Sequence, residues 1–213
     1  MDIEKFEALR RFYLEVEKIN SINGKYGKKT RIGLFSRGLF APSDLYDINV
    51  GIEHLVATGL IDTSRWFLDA GGGDGRVSAL TAGYRIPSLY VEYNRDLVAL
   101  TEENIQELRD LSILDGTPIR IVRGNFVKDK TYRRAGIRFE DVATVFNYIN
   151  NERDIATKIA KQSPSGTLFI LEDIPWAPIT HGITDFEGLT YVKTIPPHEN
   201  STLRRCLHVY RKI

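Results

Sequence analysis

The sequence predicts an α/β fold: a doubly wound, mostly parallel seven-stranded sheet with a C-terminal antiparallel hairpin, preceded by N-terminal helices. Three observations carry this. From Trp66 onward, short apolar runs alternate with amphipathic helical stretches, the pattern of a parallel sheet covered on both faces. After the fifth run the alternation stops, and two strand-like runs, "LTYVKTI" and "LRRCLHVYRK", face each other across "PPHENST". Directly behind the first run sits "DAGGGDG", a turn with four glycines in five positions. In a doubly wound sheet, ligands lie beyond the carboxyl ends of the strands, where that turn falls.

Taken in order, Asp2 to about Ile19 puts Ile3, Phe6, Leu9, Phe12 or Tyr13, and Val16 at helical spacing. A loop rich in Gly, Lys and Ser follows, with an echo in "GLFSRGLF" too short to be a structural repeat. Pro42 opens a second helix to about Thr58, with Leu45, Ile48, Ile52, Leu55 and Val56 on one side and Gly59 as its stop. "WFLDA" is the first strand of the alternating part. "RVSALTAGY" is a short helix with Val77, Leu80 and Tyr84 aligned, and "SLYVEY" is the second strand. Asn94 caps a long helix to about Leu111 that turns Leu97, Thr101, Ile105 and Leu108 inward. "PIRIVRG" and "VATVFNY" are the third and fourth strands. A helix over Asn151 to Lys161 then leads through "SPSG" into the fifth strand, "TLFILED".

The 213 residues suit one medium-sized domain with a small appendage. We divide them into an N-terminal helical cap or substrate region, 1–62, and a ligand-binding domain, 63–213. With 27% charged and 42% hydrophobic residues, the composition is that of an ordinary soluble domain. A formal charge of +1 provides no global field toward nucleic acid or membrane, so neither is favoured as a partner. The local clusters Arg133, Arg134, Arg138 and Arg204, Arg205, Arg211 read as solvated faces. Cys206 is the sole cysteine, so neither an internal disulfide nor a cysteine-based metal site is expected. The N terminus is charged from its second residue and lacks a signal core, and no run approaches the ~18 apolar residues of a membrane span. The expected setting is cytoplasmic.

A turn as bare as Gly71 to Gly75 suits a dinucleotide, a phosphate, an adenosyl sulfonium, or a tight bend without a ligand. Counting from Gly71 or from Gly73, the third glycine of G-x-G-x-x-G is missing, being Arg76 or Ser78, which weakens a nicotinamide reading. The P-loop pattern is absent as well. Asp69-Ala70-Gly71-Gly72-Gly73-Asp74-Gly75 instead resembles the acidic-x-G-x-G-x-G motif of class I, seven-stranded S-adenosylmethionine-dependent methyltransferases.

That resemblance runs from about Trp66 through the closing hairpin and implies an adenosyl pocket. Asp69, Gly71, Gly73 and Gly75 form its turn. Glu92, with Tyr93, ends the second strand where the family keeps an acid for the ribose hydroxyls; a carboxylate accepts from two hydroxyls at once. "RGNF" ends the third strand where the family shows Gly-Asp-aromatic. Asn125 departs from that pattern, but its carbonyl oxygen can still accept from the adenine amino group, beside Phe126. Each has a plainer alternative: Glu92 as a cap of the next helix together with Asn94, and Asn125 as a turn residue.

The family places substrate-facing groups after the fourth strand, which makes Asn147, Tyr148 and Asn150 candidates, with Asn147 also at the cofactor. Glu172 and Asp173 end the fifth strand and are candidates to orient an amine or accept its proton; Asp173 is taken as catalytic. No (Asn/Asp)-Pro-Pro-aromatic motif is present, which disfavours methylation of adenine or glutamine amides. Asn147, Glu152 and Asp154 are a weak metal set, and no metal is expected; His181, His198 and His208 are isolated in sequence and read as structural. The segment around "FAPSD" is similar in layout to that of seven-stranded protein-lysine methyltransferases, where the preceding loop closes over the cofactor. Tyr26, Phe35, Phe40 and Tyr46 would then wall a methyl-accepting amine or simply pack the helices. The expected activity is methyl transfer from S-adenosyl-L-methionine to a protein amine or a small molecule. The alternative is a non-catalytic adenosyl-binding protein of the same fold.

Overall fold

The computed structural model describes residues 1–23, 33–35, 38–148, 151–173 and 184–213, of which 20–23, 33–35 and 38–40 are described by backbone alone. In chain order the elements are α1 (Ile3–Asn23), β1 (Gly33–Phe35), β2 (Gly38–Phe40), α2 (Leu45–Ala57), β3 (Trp66–Ala70), α3 (Arg76–Gly83), β4 (Ser88–Glu92), α4 (Arg95–Asp110), β5 (Ile119–Arg123), α5 (Asp129–Ala135), β6 (Val142–Tyr148), α6 (Glu152–Gln162), β7 (Leu168–Asp173), β8 (Leu189–Ile195) and β9 (Cys206–Lys212).

Seven strands form one sheet in the order β5-β4-β3-β6-β7-β9-β8. The five from β5 to β7 run parallel, while β9 pairs antiparallel with both β7 and β8. The order reverses between β3 and β6, so a crevice opens at their carboxyl ends.

Successive strand residues point to opposite faces, and the two cores follow that parity. On one face Phe67, Phe146, Ile170, Leu207 and Val209 pack with Leu9, Tyr13, Ile48, Ile52 and Leu80 of α1, α2 and α3. On the other face Leu68, Val145, Phe169, Leu171 and Tyr210 pack with Tyr132, Ile155 and Ile159 of α5 and α6. The N-terminal helices therefore share a core with the sheet. Each side chain buried this way contributes about 1.5–3 kcal/mol.

Several expectations need correction. α2 begins at Leu45, because the Asp44 carboxylate accepts from the Tyr46 N–H and caps the helix there; Pro42 and Ser43 precede it, buried. The two "GLF" segments, read as loop, pair antiparallel as β1 and β2. α5 and a 3-10 turn over Phe139–Asp141 went unforeseen, since Thr131, Tyr132 and Ala135 give too few aliphatic residues to show a period. Arg205 does not belong to a solvated face: it is 3% exposed and ion-paired, whereas Arg133, Arg134, Arg138, Arg204 and Arg211 are exposed as expected. No helix among the described residues is long and apolar enough to cross a membrane.

Candidate functional site

Gly71, Gly73 and Gly75 adopt φ of +88°, +58° and +84°. At Gly75 a Cβ would be strained by the backbone and would also sit 2.4 Å from Thr101 Cγ2. Gly72, which no fingerprint marks, is also required. A Cβ there would lie 2.3 Å from the Tyr90 ring and 3.0 Å from Asp69 Oδ2.

The turn is held from three sides. Tyr90 of β4 donates its hydroxyl to the Gly73 carbonyl (2.7 Å), as does Thr101 of α4 (3.1 Å). Asn104, one turn further along α4, donates to the Asp74 carbonyl (3.0 Å). Gly75 provides no side chain to cap α3, so the carboxylates around it take that role. Asp69 accepts from the Ser78 N–H (3.1 Å) and hydroxyl (2.8 Å), and Asp74 accepts from the Arg76 N–H (3.3 Å). Burial pushes the Asp69 carboxyl up to about 7, against the two Ser78 donors and helped by the negative charges of Asp74 and Glu92.

Glu92 stands at the end of β4 beside this turn. Its Oε1 accepts from the Asn94 N–H (2.7 Å) and its Oε2 from the Gly73 N–H (3.4 Å), while burial raises its pKa. It thus caps the entry to α4 and also touches the glycine turn; with the Tyr93 N–H bonded to it as well, its carboxylate still has acceptor capacity for a ligand hydroxyl. Asn125 Oδ1 accepts from the Val127 N–H (2.9 Å), the local turn bond of the plainer alternative. The Phe126 ring packs toward Gly71, its Cε1 3.7 Å from where a Cβ would be. Tyr93 is 43% exposed and accepts through its carbonyl from Arg123.

At the end of β6, Asn147 is fully buried. Its Nδ2 donates to the Ala70 carbonyl (2.7 Å), but its Oδ1 finds no donor among the described residues. The buried Tyr148 hydroxyl also finds no partner among them, and burial pushes its pKa up to about 12. The Arg205 guanidinium lies 4.8 Å from the Tyr148 ring centroid. Glu172, fully buried, accepts from Arg205 (3.1 Å) and from the Ser43 hydroxyl, and burial raises its pKa. Asp173, also fully buried, lies on the opposite face, 3.4 Å from His208 Nε2.

The segment before α2 closes this ring. Ser43 donates to Glu172, and its carbonyl accepts from Arg76 (2.9 Å), whose guanidinium also meets Asp74 and Glu17. Asp47 of α2 binds the β8–β9 connection, accepting from the His198 and Arg205 N–H groups and from the Ser201 hydroxyl. Between Ala41–Ser43 and the glycine turn lies a crevice of about 30 Å³, lined also by Phe146 and Tyr148. A larger cavity of about 490 Å³ adjoins it across Pro42 and Arg76, lined by Tyr13, Leu14, Tyr46 and Leu203.

The structure thus brings Asp69, Gly71, Gly73, Gly75, Glu92, Asn147 and Tyr148 to the ends of β3, β4 and β6, with Asn125 and Phe126 after β5. Of the four aromatic residues weighed as a wall, Tyr46 lines the larger cavity and stacks on His198, ring centroids 5.1 Å apart. Tyr26, Asn150 and His181 lie outside the described residues, as do the side chains of Phe35 and Phe40. Sequence reasoning missed Ser43, Gly72, Tyr90, Asn104 and Arg205. Only Asn104 left a signal, three residues beyond inward-facing Thr101 on α4.

No family profile matches the chain, and no curated protein matches it in sequence. Solved structures do match its fold. An RNA methyltransferase from Salinibacter ruber, in complex with S-adenosyl-L-homocysteine, matches over 81% of this chain and 94% of its own, with a TM-score of 0.51 at 16% identity. Magnesium protoporphyrin IX methyltransferase from Synechocystis PCC 6803, with bound SAH, matches over 78% and 82%, with a TM-score of 0.55 at 13% identity. MtNAS, in complex with MTA and tNA, matches over 99% of this chain and 69% of its own, with a TM-score of 0.58 at 14% identity. Strand order, hairpin and likeness agree: the chain has the fold of the class I S-adenosylmethionine-dependent methyltransferases.

Proposed function

We propose that the protein is an S-adenosyl-L-methionine-dependent methyltransferase acting on a small-molecule acceptor. Residues 63–213 bind the cofactor and residues 1–62 cap the acceptor side. The observation that carries this reading is the left-handed glycine turn with Glu92 bonded to its Gly73 N–H. The donors and acceptors suit an adenosyl sulfonium. Backbone at Gly71 and Gly73 carries no side chain toward a ligand, Glu92 would accept from ribose hydroxyls, and Tyr93, Asn125 and Phe126 would hold the adenine. Bound there, the cofactor supplies an electrophilic methyl group.

In this reading the chain's own residues position rather than react. Asn147 Oδ1 and the Tyr148 hydroxyl, both buried without partners, orient the acceptor at the methyl, which can account for up to roughly 7–11 kcal/mol of the barrier in favourable cases. Glu172 is committed to Arg205 and Ser43 and shapes the wall, while Asp173 faces away from it beside His208, so we assign neither to removing a proton. A crevice of 30 Å³ holds about one water, so Ala41–Ser43 would have to move to admit the cofactor. The bond that Ser43 donates to Glu172 and the one it accepts from Arg76 act as the latch of this lid. The adjoining cavity of 490 Å³ falls in the range of small-molecule sites and supports a small acceptor over a protein lysine or an RNA.

Calorimetric titration with S-adenosylmethionine tests the proposal. Micromolar-scale affinity, about −8 kcal/mol, is expected, and Gly73→Val should abolish it. Absence of heat from the wild type would sink the reading. Binding without transfer of labelled methyl to small amines, phenols and thiols, proteins or RNA would leave the non-catalytic alternative.

A further inference from the structure

The sheet brings a second set of reactive side chains together, on the face away from Glu172 and Arg205. Asp173 of β7 lies opposite Cys206 of β9 in the strand register. His208 is two residues along β9 and so on the same face, and Thr194 of β8 lies opposite it. Asp173, Cys206 and His208 are all buried, at 0%, 6% and 5% exposure.

Their atoms converge in a particular way. Cys206 Sγ is 3.5 Å from His208 Nε2, and Asp173 Oδ2 is 3.4 Å from that same nitrogen. One potential ligand atom from each residue lies within 4.8 Å of the other two. This is not a nucleophile–base–acid relay, in which the acid would hold the imidazole nitrogen facing away from the thiol. Here the other nitrogen, Nδ1, meets the Thr194 hydroxyl at 2.8 Å. With Nδ1 donating to Thr194, Nε2 carries the lone pair beside sulfur and carboxylate, the tautomer that an outer hydrogen bond fixes in a metal-bound histidine.

We propose that Asp173, Cys206 and His208 form a transition-metal site, best suited to zinc. Zinc binds sulfur at about 2.3 Å and nitrogen or oxygen at about 2.0–2.2 Å, so a tetrahedral site has S···N and N···O edges of about 3.5 and 3.4 Å. Both observed separations match. One thiolate, one carboxylate and one neutral imidazole around a divalent cation sum to zero charge, the state that costs least to bury. A mixed S, N, O donor set favours zinc over magnesium or calcium, which take oxygen ligands. Among the described residues no fourth His, Cys, Asp or Glu joins the set, as in three-ligand sites that keep a position for water or substrate. The ion would clamp the start of β9 to the end of β7, and with it Arg205, the neighbour of Cys206 that lies against Tyr148.

The site is independent of the methyl-transfer reading and is tested with metal alone. The full chain, stripped by chelator and exposed to Zn²⁺, should retain one zinc per chain after gel filtration and melt at a higher temperature. The Co²⁺ form should show a thiolate-to-metal charge-transfer band that Cys206→Ser removes. His208→Ala should weaken zinc binding by at least about 100-fold, and Thr194→Val by about 10- to 100-fold, as for lost outer-shell partners. His198→Ala, at a histidine outside the cluster, should leave affinity unchanged. Circular dichroism establishes that each variant is folded, and the wild-type stoichiometry and cobalt spectrum stand whether or not a variant folds. Wild type without stoichiometric metal overturns the proposal. So does zinc binding that survives both Cys206→Ser and His208→Ala.

Discussion

The turn after β3 and the wall at the ends of β6 and β7 meet at one crevice but are built in opposite ways. Around the turn, the Gly73 and Asp74 carbonyls, the Gly73 N–H and the Arg76 and Ser78 N–H groups of α3 find partners in the chain. At the wall, Asn147 Oδ1, the Tyr148 hydroxyl and Arg205 Nε are buried without partners among the described residues. The first region is a finished scaffold. The second carries an unmet hydrogen-bonding demand of the kind a ligand satisfies, since each buried unsatisfied group costs about 1–3 kcal/mol.

Two buried arginines, Arg76 and Arg205, provide the strongest test of this contrast. Arg76 balances Asp74 and Glu17, whereas Arg205 pairs among the described residues with Glu172. Arg76→Met removes the guanidinium shared by two buried carboxylates and should cost about 3–5 kcal/mol in urea unfolding. Arg205→Met should cost less, because Glu172 keeps its Ser43 bond and burial already favours its protonated form. An equal or larger loss at Arg205 would break the comparison.

A pH series sharpens it next. The Asp69 pKa rises from 3.8 unfolded to about 7 folded, so the native state binds its proton more tightly. The resulting stabilisation is complete below the unfolded value and is lost as pH rises through the folded one. Wild-type stability should therefore carry an Asp69 component that falls by at most about 1.4 kcal/mol per pH unit across that window. Asp69→Asn, which still accepts from Ser78, should remove it. Parallel stability–pH curves for the two proteins would refute this.

The smallest effect contrasts two tyrosines. Tyr90→Phe removes a bond to the Gly73 carbonyl and should cost about 1 kcal/mol. Tyr148→Phe removes a hydroxyl without a partner among the described residues and should leave stability unchanged or slightly raised, while lowering methyl transfer. A clear loss of stability in Tyr148→Phe would show that the wall is as self-satisfied as the turn.

The same contrast explains what was legible in the sequence. Asp69 to Gly75 are contiguous, their conformations are set by local sterics, and Glu92 and Asn125 sit at the ends of strands whose apolar pattern is plain. The sheet and its hairpin were readable for that reason. The wall is assembled from Ser43, Tyr148, Glu172 and Arg205, which meet through register and not through spacing. Cys206, His208 and Asp173 share the problem. A single cysteine two residues from a lone histidine carries no signal until antiparallel pairing puts an aspartate opposite it.

The position of β9 has a consequence for assembly order. It follows β8 in sequence yet lies between β8 and β7 in the sheet. During synthesis β8 has no strand to join until β9 emerges, and insertion of β9 then brings Arg205 and His208 into place together with the hydrogen bonds to β7 and β8. The turn after β3 and its support from β4 and α4 are encoded far earlier. The nascent chain can thus shape one side of its crevice well before it possesses the other, so acquisition of the complete crevice is coupled to closure of the sheet.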